Sequence, residues 1–296
     1  MGIAELIGKT PLLRLKEIER RHSLRARVYA KLEMFNPTHS VKDRTALFVL
    51  KDILPDLAMG SRLITATSGN FGISLAMLCT VMGYKATVVM PENMPSERQR
   101  LIKDYGGELL LTDEASGMGG SLERAKELLS EIKNAKIVDQ FTNRGNVYAH
   151  FCTTGPEIHR DICERVDILI AGVGTAGTLM GTAKYLKQRN PYLKIIAVEP
   201  SESAVMSGNS AGKHEIWGIG AGFVPPLLDI LLLDRVIKVE SSEALAWCGE
   251  LTKAEGVFAG VSSGAAVCAA VRMALEKENE DKNIAIILPD GGEKYL

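Results

Sequence analysis

Short apolar runs, many of them rich in β-branched residues, alternate along the chain with segments of helical periodicity. The apolar runs predict strands at 62–68, 85–91 and 167–174, and helical spacing predicts helices at 72–83 and 178–189. Strands that alternate with helices in this way are typical of βαβ units and a parallel sheet. The alternation occurs in both halves of the chain, so the pattern predicts an α/β fold throughout.

The chain has 296 residues, which is more than one hydrophobic core usually supports, because domains are roughly 100–200 residues long. We therefore expect two lobes with a cleft between them. Ligands of open α/β sheets bind beyond the carboxyl ends of the strands. The strand-to-helix junctions are consequently where we look for chemistry.

Composition and charge narrow the classes of function. Apolar residues make up 46% of the chain and charged residues 24%, an ordinary balance for a globular protein. A net charge of −1 without a run of Lys and Arg argues against nucleic acid as a partner. No apolar stretch approaches the ~20 residues that span a bilayer, and the N-terminus lacks a secretory signal pattern. We expect a cytoplasmic protein.

Cysteine and histidine patterns give no sign of a metal. The five cysteines are odd in number and show no CxxC spacing, and the five histidines form no HExxH motif. We therefore predict no metal site and expect the cysteines to be buried, reduced thiols that lie on helices.

The first junction with unusual residues is NPTHSVKDR at 36–44. Ser40 can cap a helix that begins near Lys42. A lysine in the first helical turn faces the positive end of the helix dipole, which opposes its charged form and favours a nucleophilic amine. Taken alone, such a lysine is more often a solvated surface residue.

The second junction is TATSGNFGIS at 65–74. Hydroxyls, an amide and the backbone N–H groups of a helix N-terminus together suit an anion such as a carboxylate. The simpler interpretation is a capped helix start. The fourth junction, GVSSGAAV at 260–267, is another turn of glycines and serines that opens a helix, and its serines could simply cap that helix.

The third junction is AGVGTAGTLMG at 171–181, which contains a GxGxxG match at 172–177. A dinucleotide site is one interpretation, and Glu199 falls near the distance at which an acid would bind the ribose. The match by itself is weak. Two hydroxyls, from Thr175 and Thr178, suit a compact monophosphate better, so we favour a phosphate-binding turn.

Taken together, the four junctions closely resemble the fold-type-II pyridoxal-phosphate enzymes, specifically the family of O-acetylserine sulfhydrylase (cysteine synthase) and cystathionine β-synthase. Further motifs in family order extend the resemblance over nearly the whole chain. They are IGKTPLLRL at 7–15, TSGNFG at 67–72, TGPEIH at 154–159, GIGAGFVPP at 218–226 and ILPDGGEKYL at 287–296.

The resemblance implies a role for individual residues. Lys42 matches the lysine that carries the cofactor as a Schiff base, Asn70 the residue that holds the cofactor's ring oxygen, and Ser262 the serine that faces the pyridine nitrogen. The phosphate-binding loop is matched by Gly174, Thr175, Ala176, Gly177 and Thr178. The contacts to the substrate carboxylate are matched by Thr67, Ser68, Asn70, Phe71 and Gln140.

Two positions depart from the family pattern. Phe71 stands where cysteine synthases usually have Thr, which removes one hydroxyl from the carboxylate loop. Either the backbone N–H groups there suffice, or the ring packs against a bulkier substrate. Ala176 stands where the phosphate loop usually has Gly, a small change that should leave the backbone donors usable.

The resemblance also implies a two-lobed α/β fold with a mainly parallel twisted sheet in each lobe and pyridoxal 5'-phosphate in the cleft. The smaller, mobile domain is expected at 36–145. The larger, phosphate-binding domain is expected at 1–35 plus 146–296.

The implied reaction is a β-replacement that makes L-cysteine from O-acetyl-L-serine and sulfide through an aminoacrylate intermediate, with the Lys42 amine as general base. A homodimer is implied, and serine acetyltransferase is a candidate partner. Alternatives stay open: a cystathionine- or lanthionine-type synthase, a cysteine β-lyase that releases sulfide, and an NAD-type oxidoreductase using 172–177. A non-catalytic binder with this fold is a further alternative, against which the intact Lys42 argues.

Overall fold

The computed structural model describes residues 2–163 and 165–295. These residues form two compact units. The smaller unit consists of 2–7 and Lys42–Asn146, and the larger unit consists of Gly8–Val41 and the described residues from Val147 onward.

The α-helices of the described residues are α1 (Lys16–Arg21), α2 (Lys42–Ile53), α3 (Asn70–Val81), α4 (Ser96–Asp104), α5 (Gly117–Glu131), α6 (Gly145–Cys152), α7 (Thr154–Ile162), α8 (Gly177–Lys187), α9 (Ser241–Glu255) and α10 (Val261–Leu275). The strands are β1 (Leu12–Arg14), β2 (Arg27–Leu32), β3 (Arg62–Ala66), β4 (Lys85–Pro91), β5 (Glu108–Thr112), β6 (Ala135–Ile137), β7 (Ile168–Gly172), β8 (Lys194–Pro200), β9 (Arg235–Val239) and β10 (Asn283–Leu288).

The smaller unit is built on a parallel sheet of order β5-β4-β3-β6. Alternate residues of its strands face opposite sides. Leu63 and Val88 enter the core formed with α2, α3 and α4, whereas Ile64 and Val89 pack against α5. Because both faces are covered, the central strands are apolar almost throughout, as parallel strands usually are.

The larger unit contains a sheet of order β1-β2-β10-β7-β8-β9, in which β1 pairs antiparallel with β2 and the other pairs are parallel. Ile170 and Ile286 belong to the core on the side of α9 and α10, and Leu169 and Ile287 to the core on the side of α7 and α8. The predicted α/β class and mainly parallel sheets are therefore confirmed.

Two segments group differently from the sequence-based domain assignment: 36–41, which it placed in the smaller domain, belong to the larger unit, and 2–7, which it placed in the larger domain, belong to the smaller unit. Residues 2–7 belong to the smaller unit because Ile3, Ala4 and Ile7 pack against its core. That the smaller domain is mobile stays a prediction. In the part of the chain that the structure describes, no helix is both long enough and apolar enough to cross a membrane.

Candidate active site

Lys42 is the first residue of α2, as the sequence predicts, and it is half-buried. The helix that carries it is held firmly, because Ala46, Leu47, Val49 and Leu50 are buried in the core of the smaller unit. The amine therefore extends from a fixed backbone at the positive end of a helix.

The loop at 67–71 joins β3 to α3 and is tied to its neighbours by backbone hydrogen bonds. The Thr67 N–H donates to the Val89 carbonyl (3.1 Å), and the Gly72 N–H donates to the Gly69 carbonyl (3.1 Å). Helix α3 begins at Asn70 with Gly69 as its N-cap, which has no side chain to offer these N–H groups. The loop thus presents a helix N-terminus that suits a carboxylate.

Phe71 packs in the core of the smaller unit. Its side chain is 1% exposed and belongs to the apolar core of the smaller unit. Of the two sequence-based interpretations, this placement favours the one in which backbone N–H groups hold the substrate carboxylate, because the ring is occupied by core packing.

Gln140 lies at the same sheet edge as the 67–71 loop, because each follows the carboxyl end of one of the paired parallel strands β3 and β6. Its backbone carbonyl accepts from Asn146 Nδ2 (2.8 Å). Its side chain is 8% exposed, and its buried Oε1 has no hydrogen-bond partner among the described residues. Buried polar atoms are usually paired, so this amide is suited to a ligand. Toward a carboxylate the donor is its Nε2, because Oε1 can only accept a hydrogen bond. The five positions matched to carboxylate contacts therefore all lie in the smaller unit, and their contact with a substrate stays a prediction.

In the larger unit, β7 leads through residues 173–176 into α8. Ala176 is the N-cap and adopts a left-handed conformation (φ 68°), and no acidic residue lies in the first turn of α8. A Cβ on Gly174 would collide with the Gly218 carbonyl, and the Gly220 N–H donates to the Val173 carbonyl (3.0 Å). The turn is therefore a tight set of backbone donors at a helix N-terminus, which fits a phosphate group.

His150 is a contact of the phosphate loop that sequence reasoning missed. The imidazole is fully buried on α6, with Nε2 3.2 Å from Thr178 Oγ1 and Nδ1 2.9 Å from Thr154 Oγ1. It therefore orients one of the two hydroxyls predicted to meet the phosphate. Because 28 residues separate His150 from Thr178, no local pattern could have revealed the contact.

Ser262 lies in the first turn of α10, follows the N-cap Gly260 and is 2% exposed. The helix start is pressed against α9, since a Cβ on Gly264 would collide with the Ala244 carbonyl. A neutral hydroxyl in this buried, firmly packed position fits the predicted partner of a pyridine nitrogen.

The dinucleotide interpretation does not fit the structure. Glu199 at the end of β8 is 1% exposed and accepts hydrogen bonds from the Met206 N–H (2.8 Å), the Ser207 N–H (3.1 Å) and the Ser207 hydroxyl (2.6 Å). Its carboxylate is engaged in holding the 206–207 turn, so it is not available for a ribose.

Comparison with known proteins finds relatives that are similar over the full length of this chain. The family model described as pyridoxal-phosphate dependent enzyme matches residues 3–290. A curated cysteine synthase of Staphylococcus aureus is 41% identical, covering 100% of this chain and 95% of the relative. The crystal structure of a cysteine synthase from Entamoeba histolytica has a TM-score of 0.96 at 40% identity, covering 100% of this chain and 88% of that one. A hydrogen sulfide-producing enzyme from Fusobacterium nucleatum has a TM-score of 0.95 at 39% identity, covering 100% and 99%.

Proposed function

Because the chain belongs to the pyridoxal-phosphate-dependent enzymes, and among them to the cysteine synthase family, we propose that it makes L-cysteine from O-acetyl-L-serine and sulfide. The observation that carries the proposal is the full-length similarity to curated cysteine synthases. When bound, pyridoxal phosphate withdraws electrons from the α-carbon of an amino acid and so permits loss of its β substituent.

Residues of both units have roles in this proposal. The turn at 174–178 holds the cofactor phosphate, with Thr178 oriented by His150. Lys42 is the covalent anchor of the cofactor, and its Nζ removes the α-proton of the substrate and returns a proton to the product. Asn70 binds the ring oxygen.

Ser262 determines part of the electronic character of the bound cofactor. Its hydroxyl, unlike a carboxylate, would not favour protonation of the pyridine nitrogen, and this neutral partner would favour loss of the β substituent over transamination. The 67–71 loop and Gln140 grip the substrate carboxylate while this occurs.

The proposal is tested by supplying the purified, cofactor-loaded protein with O-acetylserine and sulfide and measuring L-cysteine. We expect cysteine formation to be faster, at equal substrate concentrations, than cystathionine formation from O-acetylserine and homocysteine. A preference for homocysteine would instead favour the cystathionine-type alternative.

A second candidate is release of sulfide from L-cysteine, and the similarity to the hydrogen sulfide-producing enzyme favours it. The same residues serve both reactions, because each needs removal of the α-proton and loss of a β substituent. Comparing kcat/KM for O-acetylserine with that for L-cysteine distinguishes them. We expect the value for O-acetylserine to be the larger.

Location and assembly are proposed on the resemblance. We propose a cytoplasmic homodimer that also binds serine acetyltransferase. Size-exclusion chromatography with light scattering tests the dimer, and titration with a peptide copying the C-terminus of a serine acetyltransferase tests the second contact.

A further inference from the structure

Arg98 is a buried cation next to the loop proposed to bind the substrate carboxylate. Its side chain lies on α4, is 2% exposed, and donates from Nη1 to the Ser68 carbonyl (3.1 Å). Burying a guanidinium is costly unless it is well bonded. This buried positive charge lies directly beside a peptide group of the 67–71 loop.

The helix that carries Arg98 is fixed to the rest of the smaller unit. Ile102 of α4 is fully buried in the core. The Gln99 amide Nε2 donates to the carbonyls of Glu92 (3.1 Å) and Met94 (2.9 Å), which ties the start of α4 to the turn before it. The guanidinium therefore donates to the Ser68 carbonyl from a helix that is fixed in position.

The hydrogen bond falls on a functionally placed peptide group. The Ser68 carbonyl and the Gly69 N–H belong to one peptide unit, which immediately precedes α3. This N–H donates a long hydrogen bond to Thr67 Oγ1 (3.3 Å), an acceptor that a substrate carboxylate would replace. A cationic donor on the carbonyl polarises that peptide and strengthens its N–H as a donor to an anion. The positive charge also attracts a carboxylate in its own right, and burial limits its screening by water.

We propose that Arg98 is a positioning residue for the amino-acid carboxylate, acting through the Ser68–Gly69 peptide. This inference rests on the proposed function of the 67–71 loop and deepens it. Because Phe71 contributes no hydroxyl and its ring is in the core, the backbone donors carry more of the carboxylate binding, and Arg98 is the group that orients and strengthens them.

The test compares two ligands that differ in the carboxylate. L-Alanine has an α-carboxylate and no β leaving group, and L-alaninamide replaces the carboxylate with a neutral amide. Calorimetric binding of both to the cofactor-loaded protein is measured for the wild type, Arg98→Met and Arg98→Lys. Arg100→Met is the matched control, because Arg100 lies on the same helix with 82% side-chain exposure and forms an exposed ion pair with Asp104.

We expect Arg98→Met to weaken L-alanine binding about tenfold, because the carboxylate keeps its backbone donors but loses the buried charge that orients and strengthens them, and to leave L-alaninamide binding unchanged. Arg98→Lys should recover part of the L-alanine affinity, since it restores the charge but not the planar geometry of the donors. Arg100→Met should change neither ligand.

Equal losses for the two ligands, or no loss of L-alanine affinity, would overturn the proposal. If Arg98→Met does not fold, as judged by circular dichroism, Arg98→Lys decides by the same comparison of ligands. Neither ligand is a cysteine synthase substrate. A wild type that discriminates between them through Arg98 but makes no cysteine from O-acetylserine would therefore leave this inference standing and remove the proposed function.

Discussion

Ala176 has a backbone conformation that is energetically unfavourable for a residue with a Cβ. It adopts φ 68° and is 3% exposed, a conformation that glycine enters freely and other residues only at a cost of about 1–3 kcal/mol. Ala176→Val should lower the free energy of unfolding by about 1–3 kcal/mol and weaken cofactor binding, because a β-branched side chain fits this conformation poorly. Ala176→Gly should raise the free energy of unfolding by about 1 kcal/mol, because the relief of strain exceeds the added chain entropy of glycine, and should preserve cofactor binding.

Urea unfolding of the cofactor-free protein and a cofactor titration measure the two effects of the Ala176 substitutions. A valine variant as stable as the wild type, with equal affinity for the cofactor, would show that the turn at 174–178 does not need the left-handed conformation.

Phe71 gives a second prediction at the residue scale. Because its ring is in the core of the smaller unit, Phe71→Ala should cost about 3–5 kcal/mol of stability. Phe35→Ala is the control, since that ring is 63% exposed and its removal should cost far less. Thermal unfolding measures both, and similar losses in the two variants would contradict the core placement of Phe71.

At the scale of the secondary-structure elements, Lys31 links β2 to α7 in the larger unit. Its fully buried Nζ lies 2.9 Å from Glu157 Oε2 and 3.5 Å from Asp161 Oδ2 and donates to the Thr10 carbonyl (2.5 Å). Removing one partner of a buried ion pair strands the other, so Lys31→Met should cost about 3–5 kcal/mol. The exposed pair Lys194–Glu278 is the control, and Lys194→Met should cost at most about 1 kcal/mol.

Chemical denaturation of the Lys31→Met and Lys194→Met variants gives the comparison. If both changes cost the same small amount, the ion pairs of Lys31 contribute no more than a surface contact.

Burial also determines which cysteines can react with a thiol reagent. The sequence led us to expect five buried thiols, which is wrong for Cys152 and Cys163, because each lies at the end of a helix and is exposed. Burial raises the pKa of Cys79 to about 12, of Cys248 to about 11 and of Cys268 to about 11, so these thiols stay protonated at neutral pH. A thiol reagent should label the two exposed cysteines quickly and the others only after unfolding. Rapid labelling of all five in the native protein would contradict this.

The sequence predicts the positions of the strands and helices better than it predicts which residues the fold brings into contact. Apolar runs at 62–68, 85–91 and 167–174 correspond to β3, β4 and β7, because strands buried on both faces must be continuously apolar. The direction of the Phe71 ring and the contact of His150 with Thr178 were not predictable, since each depends on residues brought together by the fold. The glycine-rich junctions could be identified from the sequence, because their backbone geometry depends on residues that are adjacent in the chain.

At the scale of the whole molecule, the chain is a pyridoxal-phosphate-dependent enzyme, and the proposed function assigns roles to residues of each unit. The 174–178 turn and Ser262 belong to the larger unit, and Lys42 and the 67–71 loop belong to the smaller unit. If this division of roles holds, a substitution in the carboxylate loop should raise KM for O-acetylserine while cofactor content stays that of the wild type. Thr67→Val is the variant to measure, and a parallel loss of bound cofactor would contradict the division.

The rate of L-cysteine formation from O-acetylserine and sulfide, measured side by side for the wild type and Lys42→Ala, tests the central claim most directly. We expect the wild type to form L-cysteine and the variant to form it at least about a hundredfold more slowly, because the general base and the covalent anchor are lost together. Cysteine formation by Lys42→Ala at the wild-type rate would contradict it.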